Sequence, residues 1–109
     1  MLRRDLFRPL PGEGAWQHVL LADGNIGIGG DPLRLLRRAA RLLRLGGTLL
    51  VETDPTPHLL WQGTVHLSTG ATVRWACAGA AALTHLAAPL GLHATDAYRG
   101  RRHFLQLAA

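Results

Sequence analysis

The sequence predicts an α/β fold that starts with a βαβ unit and continues with a hairpin, a second helix and a terminal hairpin. Two apolar runs, residues 17–22 and 48–53, have strand character and flank a segment with helical spacing. Neither run shows the polar alternation of a half-exposed strand. We therefore expect both strands to lie in a parallel sheet that is covered on both faces.

The segment between the two strands is predicted to be an amphipathic helix over residues 32–45. Asp31 can cap it, Pro32 fits its first turn, and the glycine pair 46–47 is expected to end it. Its apolar face carries Leu33, Leu35, Leu36, Ala39, Ala40, Leu42 and Leu43. Its opposite face carries Arg34, Arg37, Arg38, Arg41 and Arg44. This arginine face could bind nucleic acid or an anionic membrane surface, but a solvated face is the simpler interpretation.

The second half of the chain changes pattern after two prolines at 55 and 57. Residues 60–67 and 72–77 are predicted to form a hairpin around the turn Ser68-Thr69-Gly70. An alanine-rich helix is predicted over 79–90, followed by a terminal hairpin of residues 92–98 and 103–107. That hairpin could bring His93 and His103 together as neighbours.

Length and composition indicate one small domain over residues 1–109, with 1–15 as an arginine- and proline-rich arm. The hydrophobic fraction of 48% is enough for a packed core, and the net charge of +5 comes from arginine without any lysine. A single cysteine, Cys77, excludes an internal disulfide and looks like a buried packing residue. We find no signal peptide or membrane segment and expect a cytoplasmic protein without a membrane partner.

The most informative stretch lies between the first strand and the helix, where four glycines occupy positions 24, 27, 29 and 30. Such a loop at the carboxyl end of a parallel strand is typical of an α/β ligand site, because backbone N–H groups can approach a ligand closely. The glycines could instead only shape a tight turn. Asp23 and Asn25 in this loop could serve chemistry or simply cap nearby backbone N–H groups.

The stretch 21–32, the following Leu-Leu-Arg-Arg and the stretch 46–52 resemble class I S-adenosylmethionine-dependent methyltransferases of the actinobacterial type. In that family these segments are strand four, its substrate-side loop, helix D and strand five. The terminal strands would be strands six and seven of a Rossmann-like methyltransferase sheet, with strand seven antiparallel. The resemblance thus covers the carboxyl-terminal half of the family's domain.

The resemblance implies S-adenosylmethionine as cofactor and methyl transfer to an unidentified small-molecule acceptor. It implies Asp23 and Asn25 as catalytic residues, Ala22, Asp23 and Gly24 at the cofactor, and Ile26, Glu52 and Trp61 at the substrate rim. The family's glycine-rich loop after strand one has no counterpart here. We therefore expect the isolated chain to be inactive, and its first strand to pair with a second copy or a complementing chain.

Two alternatives remain at this stage. The order of strand, glycine loop, helix, strand and Glu52 also occurs in dinucleotide-binding Rossmann units, although the glycine spacing is not G-x-G-x-x-G. A non-catalytic interaction domain is the other alternative. The six histidines show no zinc-ligand spacing, so no metal is expected, and the solvated arginine face argues against a nucleic-acid partner.

Overall fold

The computed structural model describes residues 12–22 and 30–109 and contains six strands and two α-helices in that part of the chain. The strands are β1 (Trp16–Leu21), β2 (Leu43–Thr53), β3 (Leu60–His66), β4 (Thr72–Ala78), β5 (His93–Arg99) and β6 (His103–Ala108). The helices are α1 (Pro32–Leu42) and α2 (Ala80–Ala87), and a 3₁₀ turn over Ala88–Leu90 continues α2.

Four strands form one sheet in the order β1-β2-β6-β5, and β3 and β4 form a separate two-stranded hairpin. β1 and β2 are parallel, whereas β6 runs antiparallel to both β2 and β5. The predicted βαβ unit, inserted hairpin, second helix and terminal hairpin are therefore all confirmed. β6 is antiparallel to its neighbours, as the methyltransferase resemblance implied for strand seven.

Both helices pack on the same face of the sheet. The core there contains Val19, Leu21, Leu49, Val51, Leu105 and Leu107 from the strands and Leu35, Leu36, Ala39, Leu42, Leu83 and Ala87 from the helices. The opposite face is less covered, because Leu20 is 58% exposed and Leu50 is half-buried. The prediction that both apolar strands are buried on both faces is therefore wrong for β1.

The amino end of α1 matches the sequence prediction, since the Asp31 Oδ1 accepts the Arg34 N–H at 3.1 Å and Pro32 opens the helix. The carboxyl end does not. The helix stops at Leu42, and Leu43 already pairs with Trp16 of β1. Arg44 therefore belongs to β2 and not to the helix.

The glycine pair 46–47 forms part of an irregular stretch inside β2 and does not end the helix. The pairing moves from Trp16 opposite Leu43 to His18 opposite Thr48, so the four residues 44–47 lie opposite the single residue Gln17 and three of them are extra on the β2 side. Gly46 has a φ of +81°, which favours glycine, and a Cβ at Gly47 would lie 3.0 Å from the Trp16 carbonyl oxygen.

The end of β2 is joined to the hairpin and to α2 at a single crowded point. The Asp54 N–H donates to the Ala78 carbonyl at 2.9 Å, and the Gly79 N–H donates to the Leu59 carbonyl at 2.9 Å. A Cβ at Gly79 would collide with the Thr56 carbonyl oxygen, so this position accepts glycine alone. The contact fixes the start of α2 beside the carboxyl end of β2.

Candidate functional site

The carboxyl ends of the two parallel strands lie side by side, because Leu21 of β1 pairs with Val51 of β2. This is the edge where α/β proteins bind ligands. Ala22 follows β1 at this edge. The predicted site residues Asp23, Gly24, Asn25 and Ile26 lie outside the described residues, so their roles stay predictions.

The end of the glycine-rich segment contacts the β3–β4 hairpin. The Gln62 Nε2 donates to the Gly30 carbonyl at 2.9 Å. Gly30 has a φ of +73°, and a Cβ there would lie 3.1 Å from the Arg74 Cβ and 3.2 Å from the Trp75 backbone nitrogen. The inserted hairpin thus contacts Gly30, just before the residue that caps α1.

Glu52, predicted at the substrate rim, is half-buried near the end of β2. Its carboxylate forms a bidentate ion pair with Arg102, whose Nη2 lies 2.7 Å from Oε1 and whose Nε lies 3.0 Å from Oε2. The Arg102 guanidinium also lies over the Phe104 ring, 5.4 Å from its centroid. Because a bidentate partner holds it, Glu52 can shape the site and contribute less readily as a base.

Trp61, also predicted at the rim, is 42% exposed near the start of β3. It shares one face of the hairpin with Trp75 and Cys77, because Trp61 pairs with Cys77 and Gly63 pairs with Trp75. Cys77 was expected to be buried, and it is half-buried instead.

Two cavities lie beside the carboxyl end of β2. One of about 200 Å³ lies toward the amino end of α2 and the β5–β6 turn, and one of about 180 Å³ lies toward β4. Both are lined by Thr53, Asp54 and Pro55. The second cavity is lined in addition by Glu52, Trp75, Ala76, Cys77 and Ala78.

Sequence reasoning assigned no site role to Asp54 or Trp75, although both line the second cavity. Asp54 directly follows β2, so its place after a buried parallel strand was an available signal. Trp75 had no such signal, because it reaches the cavity only through the pairing of two strands that come later in the chain.

The histidines do not assemble as expected. His103 pairs with Arg99 and His93 pairs with Ala108, so the predicted neighbourhood of His93 and His103 is wrong. His18 Nδ1 lies 2.7 Å from the Thr48 hydroxyl, across the β1–β2 pair. Within residues 12–22 and 30–109, no three His, Cys, Asp or Glu side chains are grouped so that they could hold a metal ion.

Most of the arginine side chains predicted on one face of α1 are exposed. Arg38 is the half-buried exception and forms an ion pair with Glu13.

In the described part of the chain, no helix is long and apolar enough to cross a membrane. Tyr98 lines the first cavity, and Asp96 raises the pKa of this phenol above its usual value, first by charge repulsion and then by accepting a hydrogen bond from it.

No known protein-family profile matches the chain, and no curated protein matches it. Solved structures do. A 1,6-didemethyltoxoflavin-N1-methyltransferase of Burkholderia thailandensis, with bound 1,6-didemethyltoxoflavin and S-adenosylhomocysteine, is 15% identical with a TM-score of 0.61, covering 91% of this chain and 46% of its own.

Two further methyltransferase structures are similar. CcbJ from Streptomyces caelestis is 17% identical with a TM-score of 0.65, and the match covers 97% of this chain and 62% of CcbJ. An S-adenosylmethionine-dependent methyltransferase from Mesorhizobium loti is 11% identical with a TM-score of 0.62, over 97% of this chain and 68% of that one. The chain therefore has a class I methyltransferase fold, and it spans about half to two-thirds of the length of these proteins.

Proposed function

We propose that this chain is the carboxyl-terminal half of an S-adenosylmethionine-dependent methyltransferase domain that acts on a small-molecule acceptor. The sheet order β1-β2-β6-β5, with one parallel pair and an antiparallel β6, is the observation that carries the proposal. The similarity to three methyltransferase structures supports it. Nothing in the structure or the comparisons favours the dinucleotide-binding alternative.

Within this proposal, Ala22, Asp23 and Gly24 contact the cofactor, and Asp23 and Asn25 line the acceptor end. A carboxylate there can orient an acceptor N–H or O–H or accept its proton. Ile26, Glu52 and Trp61 form the rim. Asp54 joins them, because it lines both cavities beside β2. We place the protein in the cytoplasm, where S-adenosylmethionine is available.

Neither of the two cavities beside β2 is large enough to hold the whole cofactor. Ligand pockets for molecules of this size are about 300–1,000 Å³. The two cavities beside β2 are about 200 and 180 Å³. We therefore propose that another polypeptide segment supplies the remainder of the site and that the isolated chain binds the cofactor weakly.

β1 is where such a segment would add. In the described part of the chain β1 pairs only with β2, and its residues 19–21 are uncharged. An apolar strand with an unpaired edge is a template for another chain. We propose that β1 pairs with a second copy or with a complementing chain. Light scattering at tens of micromolar should show self-association of the purified chain, and a clean monomer would contradict self-pairing.

The cofactor proposal is tested by ligand-observed NMR and calorimetry with S-adenosylhomocysteine. We expect a Kd weaker than about 100 μM. The binding signal should be lost in Asp23→Ala and retained in the control variant Asp96→Ala on β5. Tight one-to-one binding by a monomer would contradict an incomplete site. Tight binding of NAD in place of S-adenosylhomocysteine would instead support the dinucleotide-binding alternative.

A further inference from the structure

The cavity between the end of β2 and β4 has the size of a small ring system. Its volume is about 180 Å³. An apolar protein cavity of about 150 Å³ is large enough to bind benzene. The cavity can therefore take one ring or a small fused pair.

One wall of this cavity belongs to an aromatic face of the hairpin. Trp75 lines the cavity and lies opposite Gly63 on β3. The Trp61 ring lies over Gly63, since a Cβ at that glycine would be 2.6 Å from the Trp61 Cζ2. Trp61 therefore shares the hairpin face with Trp75, but of the two only Trp75 lines the cavity, and a flat ring can stack on its indole.

The other wall carries a carboxylate. The Asp54 Oδ1 accepts the Thr56 N–H at 2.9 Å. Within residues 12–22 and 30–109, that is the one hydrogen bond that a side-chain oxygen of Asp54 makes. Glu52 at the same cavity is held by Arg102, so its charge is balanced by a neighbouring cation. Asp54 is therefore the acceptor on this wall for an N–H group of a ligand, and it favours a ligand with positive charge.

We propose that this cavity binds a flat nitrogen heterocycle, with the ring against Trp75 and a ring or exocyclic N–H donated to Asp54. An aromatic wall alone would take any flat apolar ring, and the carboxylate adds the requirement for an N–H donor. That the heterocycle is the methyl acceptor rests on the function proposed above. The binding of the heterocycle to this chain does not rest on that function, because Trp75 and Asp54 both belong to the described part of the chain.

The test uses the full chain and 2-aminobenzimidazole, a flat bicyclic base with several N–H groups, titrated by calorimetry and ligand-observed NMR. Trp75→Leu should weaken binding about tenfold or more, because stacking on an aromatic side chain contributes about 1–3 kcal/mol. Asp54→Asn should also weaken it about tenfold, because it replaces the charged acceptor of the hydrogen bond by a neutral amide.

The matched control is Tyr98→Leu, which removes an exposed aromatic side chain from the neighbouring cavity and should leave binding within about twofold. Guanidine, which has N–H donors but no fused ring, should not compete. Loss of binding in Tyr98→Leu with retention in Trp75→Leu would overturn the assignment. So would the absence of binding at about 10 mM probe. Neither outcome depends on the S-adenosylhomocysteine experiment, so the two proposals can fail separately.

Discussion

On the sheet face that carries α1 and α2, Leu49, Val51 and Leu107 are fully buried, whereas on the opposite face Leu20 of β1 is 58% exposed. The opposite face is organised by polar contacts, namely the His18–Thr48 hydrogen bond and the Glu52–Arg102 ion pair. Hydrophobic burial therefore stabilises one face, whereas polar contacts between partly exposed side chains lie on the other. The difference shows that, within the described residues, only the face under α1 and α2 is covered by a hydrophobic core.

The largest expected change in the free energy of unfolding is seen when two neighbouring leucines of β2 are compared. Leu49→Ala removes a side chain from the closed core and should lower the free energy of unfolding by about 2–5 kcal/mol. Leu50→Ala, whose side chain faces the other way and is half-buried, should cost clearly less. Urea unfolding of the two variants measures the contrast. Equal losses would show that the second face is packed as tightly as the first.

Leu20→Ala sharpens the same comparison. Its side chain is mostly exposed, so the free energy of unfolding should change by about 0.5 kcal/mol or less at a concentration where the chain is monomeric. Chemical denaturation across a dilution series provides the measurement. A large loss that appears only at high concentration would place Leu20 inside a contact between copies.

A smaller effect is expected from Glu52→Gln, which keeps the size of the side chain but breaks the ion pair with Arg102. Partly exposed ion pairs contribute about 0.2–1 kcal/mol, and salt screens them. The cost should therefore shrink between low salt and about 1 M salt in denaturation experiments. A cost that is independent of salt would assign Glu52 a packing role.

The smallest effect concerns Tyr98, the only tyrosine of the chain, which pairs with Phe104 across the last hairpin. Asp96→Asn should lower its pKa toward 10.0, because the repulsive charge is lost and the amide oxygen is a weaker acceptor for the phenol O–H. Since the folded pKa is raised, its contribution to stability is present below pH 10 and is lost as the pH rises through the folded pKa. Phenolate absorbance during a pH titration measures the shift. An unchanged pKa would show that Asp96 does not act on the phenol.

Local signals predicted much of the fold. The turn Ser68-Thr69-Gly70 formed where the sequence indicated, with a φ of +87° at Gly70, and the Asp31 cap begins α1 as predicted. Errors arose where a distant partner decides. Leu43 continues the helical spacing, yet its pairing with Trp16 draws it into β2. The partner of His103 likewise depends on where the β5–β6 turn falls, which fixes Arg99 opposite it.

The site was less accessible to sequence reasoning than the fold. Glu52 could be placed because it ends an apolar strand that the sequence marks clearly. Trp75 could not, because its distance from Asp54 depends on how the inserted hairpin packs against the end of β2. The stacking of Trp61 on the strand depends in turn on the absence of a side chain at Gly63.

The crowded point at Gly79, where the end of β2 meets the hairpin and α2, has a genetic consequence. Gly79 lies between two alanines, and a single base change converts any glycine codon into an alanine codon, so mutation regularly supplies alanine at this position. A methyl group there would meet the Thr56 carbonyl oxygen, which belongs to backbone and cannot rotate away. Natural and laboratory variants should therefore keep glycine at 79, while the alanines on either side drift to other small residues.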